Sequence, residues 1–401
     1  MSKSINNKFF LNLKKWIKKM HLWLGLFIGI LILIISLTGA LYVFKDEIEN
    51  YNRKEFIYHQ EQDVENKEVL PIRSLEKLID NQVNEKFPLH WVEIPLDKKK
   101  SYKFYWYEHN THAWNYFDEF PVYKLAYVNP YNGQILKIYD EKNGFFNIVK
   151  MIHWSFLLKM DWGKYVVGIP VLIYIIMLIS GIVLWWPKNK SARKQRIWFR
   201  WKNIKNWKRK NYDLHNIFGF YTSIFGLLFA ITGLFYSYLL VGQIIYAIFT
   251  LGSDPAPNFS NITTQAPIEM RTYQTLDKIN AKVNNLYPNA ESFSFDLGHP
   301  HIDNHEHPNF QIYVKHLPGV YYKNSLLIFD ENSGELLKNY DPEDKNLGEK
   351  VIAANYDIHV GSIAGLPTKI LAFVVSLLIA SMPVTGFLIW KGRKNRKVKS
   401  I

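Results

Sequence analysis

Residues 21–44 read HLWLGLFIGILILIISLTGALYVF, a stretch that contains no Asp, Glu, Lys or Arg. A bilayer core of about 30 Å is crossed by roughly 20 helical residues, so this stretch predicts a transmembrane helix. Three further stretches share its composition: 165–186, 214–241 and 370–390. The chain is therefore predicted to be a membrane protein, mainly α, with four transmembrane helices.

The four spans are two copies of one unit. The first span recurs 194 positions later in the third, through a histidine, a glycine four residues on, and a Thr-Gly pair: His21, Gly25 and Thr38-Gly39, then His215, Gly219 and Thr232-Gly233. The second and fourth spans correspond at offsets of 205 and 206, through SGIVLW (180–185), TGFLIW (385–390) and the preceding His153 and His359. Repetition on this scale predicts two duplicated units of roughly 200 residues.

Positive charge is concentrated in three short segments. Residues 1–20, 188–210 and 391–401 carry 23 Lys and Arg side chains and no acid, whereas the net charge of the whole chain is +14, so the remaining residues are net acidic by nine charges. Basic segments beside the spans follow the positive-inside rule and do not indicate a nucleic-acid partner. Both termini and the 188–210 loop are predicted to be cytoplasmic. We expect the first span to be retained as an anchor, because it lacks a small-residue cleavage site.

The predicted organisation follows from these segments. In order, it comprises a basic tail (1–20), TM1 (21–44), an outer module (45–144), an interfacial segment with TM2 (145–187), a basic loop (188–210), TM3 (211–242), a second outer module (243–350), an interfacial segment with TM4 (351–390) and a basic tail (391–401). Each outer region has one helical pattern (74–87 and 272–286), strand patterns and an Asn-Gly or Ser-Gly turn, which predicts a small α+β module. The chain has no cysteine, which excludes cysteine-bound zinc and iron–sulfur clusters.

Four histidines lie at the ends of the spans, and the duplication sorts them into two pairs. His21 and His215 begin the first and third spans on the cytoplasmic side, whereas His153 and His359 precede the second and fourth spans on the outer side. Ionisable residues at membrane depth are costly and are therefore functional candidates. Two imidazoles fill both axial positions of a haem iron, which suits electron transfer. The pattern predicts an inner haem on His21 and His215 and an outer haem on His153 and His359, roughly 20 Å apart across the bilayer core. The alternative is that these histidines only meet lipid headgroups.

Three other features are candidates. Gly25 and Gly219 share a helical face with His21 and His215, where they would leave room for a flat macrocycle; the alternative is close helix packing. The aromatic run 102–107 (YKFYWY), with His109, His112 and Trp114, is either an ordinary strand or a surface that stacks on an aromatic or chelate ligand. A histidine-rich stretch of the second outer module is either a metal site or a solvated loop: His299, His301, His305 and His307.

The motifs HLWLGL (21–26), LTGAL (37–41), SGIVLWWP (180–187), DLH (213–215), IH (358–359) and TG (385–386) resemble the PepSY-associated transmembrane helix family. The resemblance runs over nearly the whole chain, and the outer modules are similar to PepSY domains. Members of the family include haem-containing ferric-siderophore reductases of the bacterial inner membrane. The resemblance implies a cytochrome with two haem b groups that passes electrons across the membrane, reduces a ferric siderophore and releases Fe(II) in the periplasm.

The resemblance also implies the partners. Some relatives carry a fused flavoprotein reductase domain that this chain lacks, so a quinol or a separate reductase would supply the electrons. One alternative is a membrane-anchored PepSY protein that binds or inhibits a periplasmic protease or peptide without redox activity. Another is a metal or siderophore permease, which four spans without a charged residue do not favour.

Overall fold

The computed structural model describes residues 2–83, 85–187, 189–202, 204–253, 273–297, 309–330 and 333–398. Its helices are α1 (Ser2–Tyr42), α2 (Lys45–Asn52), α3 (Lys54–Ile57), α4 (Ile72–Gln82), α5 (Tyr116–Glu119), α6 (Phe145–Ser155), α7 (Met160–Trp185), α8 (Lys190–Ile197), α9 (Trp207–Ser237), α10 (Leu239–Thr250), α11 (Tyr273–Leu286), α12 (Leu347–Val360) and α13 (Leu366–Val398). Its strands are β1 (Leu89–Pro95), β2 (Tyr102–Tyr107), β3 (Tyr123–Val128), β4 (Ile135–Asp140), β5 (Ser292–Asp296), β6 (Asn309–Lys315), β7 (Asn324–Asp330) and β8 (Leu336–Tyr340).

The chain divides into two units. The helical unit comprises residues 1–43, 149–242 and 358–401, and the sheet unit comprises residues 44–148 and 243–357. Charge divides along the same line: the helical unit has 27 Lys and Arg against two acids, and the sheet unit has 22 Lys and Arg against 33 acids. The sheet unit therefore has a net charge of −11, in accord with the acidic outer regions predicted above.

Within the described residues, four helices of the helical unit are long and apolar enough to cross a membrane, which confirms the predicted number of spans. They lie at Asn12–Tyr42, Met160–Trp185, Trp207–Ser237 and Leu366–Lys394. On the basic side the helices continue past the predicted span ends. Residues 2–20, predicted as a tail, are the first turns of α1, and α13 runs on to Val398. Lysine and arginine are good helix formers, so a helix need not end where the apolar stretch does.

The four spanning helices form a bundle in which the copies of one span occupy opposite corners. Helix α1 packs against α7 and α13, and α9 packs against the same two helices. The buried centre of the bundle contains Ile28 and Ile32 of α1 and Val375 and Ile379 of α13. Residues at the same height on α1 and α9 can therefore approach each other only across the bundle axis.

Within its described residues, the sheet unit contains one antiparallel sheet of eight strands, in the order β4-β3-β2-β1-β5-β6-β7-β8. Strands β1–β4 come from the first outer region and β5–β8 from the second. The predicted pair of modules is thus joined into a single sheet, because β1 pairs with β5 and neither strand is left as an open edge. Glu93 lies opposite Ser294 in this pair, and 201 positions separate them. The same offset relates the two hairpin turns at 129–133 and 330–334, so the sheet is symmetric about the β1–β5 pair.

Helices α4 and α11 cover one face of the sheet. Leu75 and Ile79 of α4 pack with Ile279 and Val283 of α11 above the inward side chains of the central strands. In β2 those inward residues are Tyr102, Phe104 and Trp106. Alternation in a strand therefore explains the aromatic run 102–107, which needs no ligand to account for it.

The predicted hairpin turns are confirmed. Strands β3 and β4 pair, as do β7 and β8. Each turn contains a glycine with positive φ, Gly133 at +72° and Gly334 at +70°. This conformation favours glycine, because other residues place a Cβ against the backbone there.

Candidate functional site

The four predicted histidines all belong to the helical unit and lie on four different helices. Each is only partly exposed. They are His21 on α1, His153 on α6, His215 on α9 and His359 on α12.

Every one of these histidines is hydrogen-bonded through Nδ1 to a serine or threonine hydroxyl on a spanning helix. The two inner histidines use α7 and α13, and the two outer histidines use α1 and α9. The Nδ1–Oγ distances are 2.8 Å for His21–Ser180, 2.8 Å for His215–Thr385, 3.2 Å for His153–Thr38 and 2.9 Å for His359–Thr232.

The other bonds of these hydroxyls fix the direction of the contact. Thr38 Oγ1 lies 2.7 Å from Ile34 O and 3.0 Å from Ile35 O of its own helix, and it donates its single hydrogen there. The other three hydroxyls make the same bond to a carbonyl three or four residues earlier. Such a hydroxyl can only accept from histidine, so Nδ1 carries the hydrogen. His153 Nδ1 also donates to Ile35 O, at 2.8 Å.

The same argument leaves Nε2 of each ring with a lone pair. A neutral imidazole that donates from one nitrogen and is bare at the other is the form that binds metals. Among the described residues, no hydrogen bond engages Nε2 of any of the four. The rings are thus held in one tautomer, with one nitrogen available for a ligand bond.

A glycine follows each hydroxyl residue and faces the same histidine. A Cβ at Gly39 would lie 3.0 Å from His153 Cε1, and a Cβ at Gly233 would lie 3.1 Å from His359 Cε1. For the inner pair, the corresponding distances are 3.3 Å from Gly181 to His21 and 3.3 Å from Gly386 to His215. We call each hydroxyl–glycine dipeptide a cradle: Thr38-Gly39, Ser180-Gly181, Thr232-Gly233 and Thr385-Gly386.

The outer histidines approach each other across the unit. The ring centres of His153 and His359 are 6.0 Å apart, with 58° between the ring planes. Two imidazoles bound to one iron through Nε2 have ring centres about 6 Å apart, since each metal–nitrogen bond is about 2 Å and each nitrogen lies about 1 Å from its ring centre. The separation of the outer pair therefore fits a bis-imidazole haem.

The inner histidines occupy equivalent positions at opposite corners of the bundle. His21 lies on α1 against Ser180 of α7, and His215 lies on α9 against Thr385 of α13. Both pairs combine one histidine from each half of the chain. The structure brings His153 and His359 together, while the pairing of His21 with His215 and haem binding by either pair stay predictions.

The inner and outer histidines form two layers. On α1, His21 and the cradle that holds His153 begin 17 residues apart, and the same spacing separates His215 from Thr232 on α9. At 1.5 Å per residue this spacing is roughly 25 Å. The layers are therefore near the two ends of the bundle, and the haem separation of roughly 20 Å expected from the bilayer thickness stays a prediction.

Gly25 and Gly219, predicted to make room for the inner haem, face methionines in the structure. A Cβ at Gly25 would lie 2.8 Å from Met177 Cε, and one at Gly219 would lie 3.7 Å from Met382 Sδ. Each methionine comes three residues before a cradle hydroxyl. The glycines that contact histidines are those of the cradles, which the sequence revealed only as parts of a repeat.

The histidine-rich stretch with His299, His301, His305 and His307 lies outside the described residues. Across the part of the chain that the structure describes, no three His, Asp or Glu side chains form a group suited to a metal ion.

The histidines and cradles lie within a region that matches a known protein family. The family model described as the PepSY-associated TM region matches residues 18–393. The match spans all four histidines and all four cradles. A comparison with curated proteins found no match.

Proposed function

The chain belongs to the PepSY-associated transmembrane family, and from this premise we propose that it is a di-haem b-type cytochrome of the bacterial inner membrane. In this proposal it is an oxidoreductase that accepts electrons from a quinol or a separate reductase at the cytoplasmic face. It passes them to a ferric siderophore in the periplasm, where Fe(II) is released. The large loops are periplasmic and have PepSY-like modules.

One observation carries the proposal: four imidazoles are held at Nδ1 by equivalent cradles and combine into two pairs. A histidine that merely meets lipid headgroups needs no fixed tautomer. Four such rings, each with a hydroxyl at Nδ1 and a glycine against Cε1, instead have the features of metal ligands oriented by a second shell. The 6.0 Å separation of the outer ring centres supports the same conclusion.

The roles of the residues follow from this geometry. His21 and His215 would hold the inner haem, and His153 and His359 the outer one. A haem with two imidazole ligands supplies one-electron transfer without an open coordination position. The cradles keep Nδ1 protonated and the rings fixed, which limits rearrangement of the ligands when the charge at the site changes.

The substrate is a ferric chelate with oxygen ligands. Such hard ligands favour Fe(III), so the gain of one electron weakens the chelate and favours release of Fe(II). The carrier molecule is left chemically intact. The acidic sheet unit, with its net charge of −11, would favour the approach of neutral or cationic chelates over anionic ones.

The deciding experiment is a reduced-minus-oxidised absorption spectrum of the purified protein, with haem counted per chain. We expect two haems in the unmodified protein, and the loss of a different one in His21→Ala and in His153→Ala. His112→Ala, which alters an exposed histidine of the sheet unit, is the matched control and should retain both. Absence of haem after expression with adequate haem supply would overturn the cytochrome and favour a binding or inhibitory PepSY protein.

A further inference from the structure

The two halves of the sheet unit differ in the connection between their second and third strands. Between β2 and β3 the chain runs through residues 108–122, whereas the equivalent connection between β6 and β7 is only residues 316–323. The first connection is therefore almost twice as long and contains helix α5. The strand order is symmetric, and β6 pairs with β7 across the shorter connection, so the extra length is not needed for the strands to pair. Long connections with their own structure are commonly functional.

The 108–122 connection is held in place by its own hydrogen bonds. Asn115 caps α5 by accepting from the backbone N–H groups of Phe117 and Asp118, at 2.9 and 3.1 Å. Tyr116 is almost fully buried, and its hydroxyl donates to Lys142 O at 2.8 Å. A surface formed by this connection is consequently pre-organised, and a ligand would not have to order it.

The outer side of the connection is aromatic. Trp114 is 77% exposed and Phe117 is 40% exposed, although Tyr116 beside them is buried. Exposed aromatic side chains that line one cavity form an apolar patch, and such patches commonly mark ligand-binding sites. They border an open cavity of about 390 Å³, whose main lining residues are Asn110, His112, Trp114, Phe117, Asp118 and Pro121.

The polar members of this lining restrict the charge of a ligand. Asp118 is the carboxylate of the cavity, and it lies in a unit with a net charge of −11. A strongly anionic ligand would be repelled by both. His112 and Asn110 add hydrogen-bonding groups that can orient a polar, oxygen-rich molecule beside the aromatic rings.

We propose that this cavity, the 108–122 pocket, binds an aromatic ring of a neutral or cationic ferric chelate by stacking it on Trp114 and Phe117. The inference rests on the proposed function for the identity of the ligand as the electron acceptor. It narrows that acceptor to chelates that carry an aromatic ring and no large negative charge.

Three iron complexes separate the contributions of ring and charge. The neutral ferric tris(hydroxypyridinone) complex has aromatic rings, ferric tris(acetohydroxamate) is neutral and aliphatic, and ferric tris(catecholate) is aromatic but trianionic. Binding to the full-length oxidised protein is measured by calorimetry, on samples whose haem content has been determined. We expect the hydroxypyridinone complex to bind most tightly, by about tenfold over each of the other two, as a ring stacked on two aromatic side chains would give.

Variants locate the site. Trp114→Ala and Phe117→Ala should each weaken binding of the hydroxypyridinone complex about tenfold, and Trp114→Phe should retain most of it. Trp198→Ala removes an equally exposed tryptophan, 71% exposed, from the helical unit and should leave binding unchanged. All three changed side chains are exposed, so unchanged circular dichroism is expected.

The outcomes are distinct. Unchanged affinity in both Trp114→Ala and Phe117→Ala would overturn the pocket, as would equal affinity for the aliphatic and aromatic neutral complexes. Tighter binding of the catecholate would overturn the charge argument. A haem-loaded protein that fails these tests leaves the cytochrome intact, whereas a protein without haem refutes the proposed function whatever it binds.

Discussion

The hydroxyl of each cradle performs two tasks with one oxygen. It donates to its own helix backbone and accepts from the histidine, so it fixes both the ring nitrogen that is protonated and the direction of the ring. Second-shell groups of this kind typically change metal affinity by about 10- to 100-fold. The cradle hydroxyls are therefore positioning residues, and they can be tested without touching the histidines.

Thr232→Val keeps the shape of the side chain and removes the oxygen that lies 2.9 Å from His359 Nδ1. We expect the outer haem to be retained about tenfold less tightly and its reduction potential to shift, because His359 loses its fixed orientation. Thr232→Ser should restore both properties.

Thr222→Val is the matched control for this change, because Thr222 is a buried threonine of the same helix. Among the residues that the structure describes, its hydroxyl bonds only to Phe218 O, at 2.8 Å. Haem titration and potentiometry measure the effects. A shift of equal size in Thr222→Val would show that the loss of any helix hydroxyl suffices, and the positioning role would fail.

Gly39→Ala tests the other member of a cradle. The added Cβ would lie 3.0 Å from His153 Cε1, closer than ordinary contact, so the ring must move. We expect loss of the outer haem signal with the inner one retained. Gly29→Ala is the control on the same helix, since its Cβ would meet Pro383 at an ordinary 3.4 Å. Difference spectra of the two variants decide the matter; two intact haems in Gly39→Ala would contradict the contact.

At this scale the sequence predicted the histidines but not what holds them. The repeat and the membrane depth of the four rings were enough to pair His21 with His215 and His153 with His359. Which helix lies beside which cannot be read from one sequence, so the contacts of Ser180 with His21 and of Thr38 with His153 were not predictable. Gly25 was chosen because it shares a helix face with His21, yet the glycine that touches that ring, Gly181, comes from another helix.

A buried glutamate, Glu76 of α4, lies where α4 meets α11. Glu76 is only 6% exposed, and its Oε1 has no hydrogen-bond partner among the described residues. Burial raises the pKa of Glu76 to about 7; Arg73 partly opposes the shift, and Asp80 and Asp277 add to it. Asp277 is the residue 201 positions later, so two equivalent acids come together where the halves of the sheet unit join.

The raised pKa predicts how stability depends on pH. The folded protein holds the Glu76 proton up to about pH 7, whereas the unfolded chain releases it near the ordinary value of 4.5, so stability falls as pH rises between these values. The loss of stability is about 3 kcal/mol, because each unit of pKa difference corresponds to about 1.4 kcal/mol. Glu76→Gln cannot ionise and should unfold several degrees higher than the unmodified protein at pH 8, with little difference at pH 4.5.

Thermal unfolding followed by circular dichroism at the two pH values provides the measurement. Glu68→Gln, at an exposed position, is the control and should change neither midpoint. A Glu76→Gln protein that is less stable than the unmodified one at pH 8 would mean that the charged carboxylate is stabilised in the fold.

Elements of the sheet unit were largely predictable, because alternation and turn residues are local signals. The predicted strand at 102–107 coincides with β2, and the predicted strand at 292–296 with β5. The pairing of β1 with β5 was not predicted. This pairing joins two strands about 200 residues apart in sequence, and no local sequence pattern specifies which strand of one module pairs with which strand of the other.

Each half of the chain contains the cradles for its own histidines but only one member of each histidine pair. Each half supplies the cradles for its own histidines: His21 with Ser180 and His153 with Thr38 in the first, and their equivalents in the second. Neither half contains both members of a histidine pair. Each half therefore orients its own rings, and under the proposed function it depends on the other half for the second ligand of each haem. Association of the two halves would then be required for both proposed haem sites.

A split protein tests this dependence. Residues 1–203 and 204–401 separate the halves within the basic loop, where Lys202 and Lys205 are exposed. Packing of α1 on α13 and of α7 on α9, together with the β1–β5 pairing, should reunite the fragments when they are expressed together. We expect the co-expressed fragments to copurify with two haems, and either fragment alone to hold none, because each would offer only one imidazole per site. Haem bound in full to a single fragment would mean that both ligands come from one half, and the pairing of His21 with His215 and of His153 with His359 would have to be abandoned.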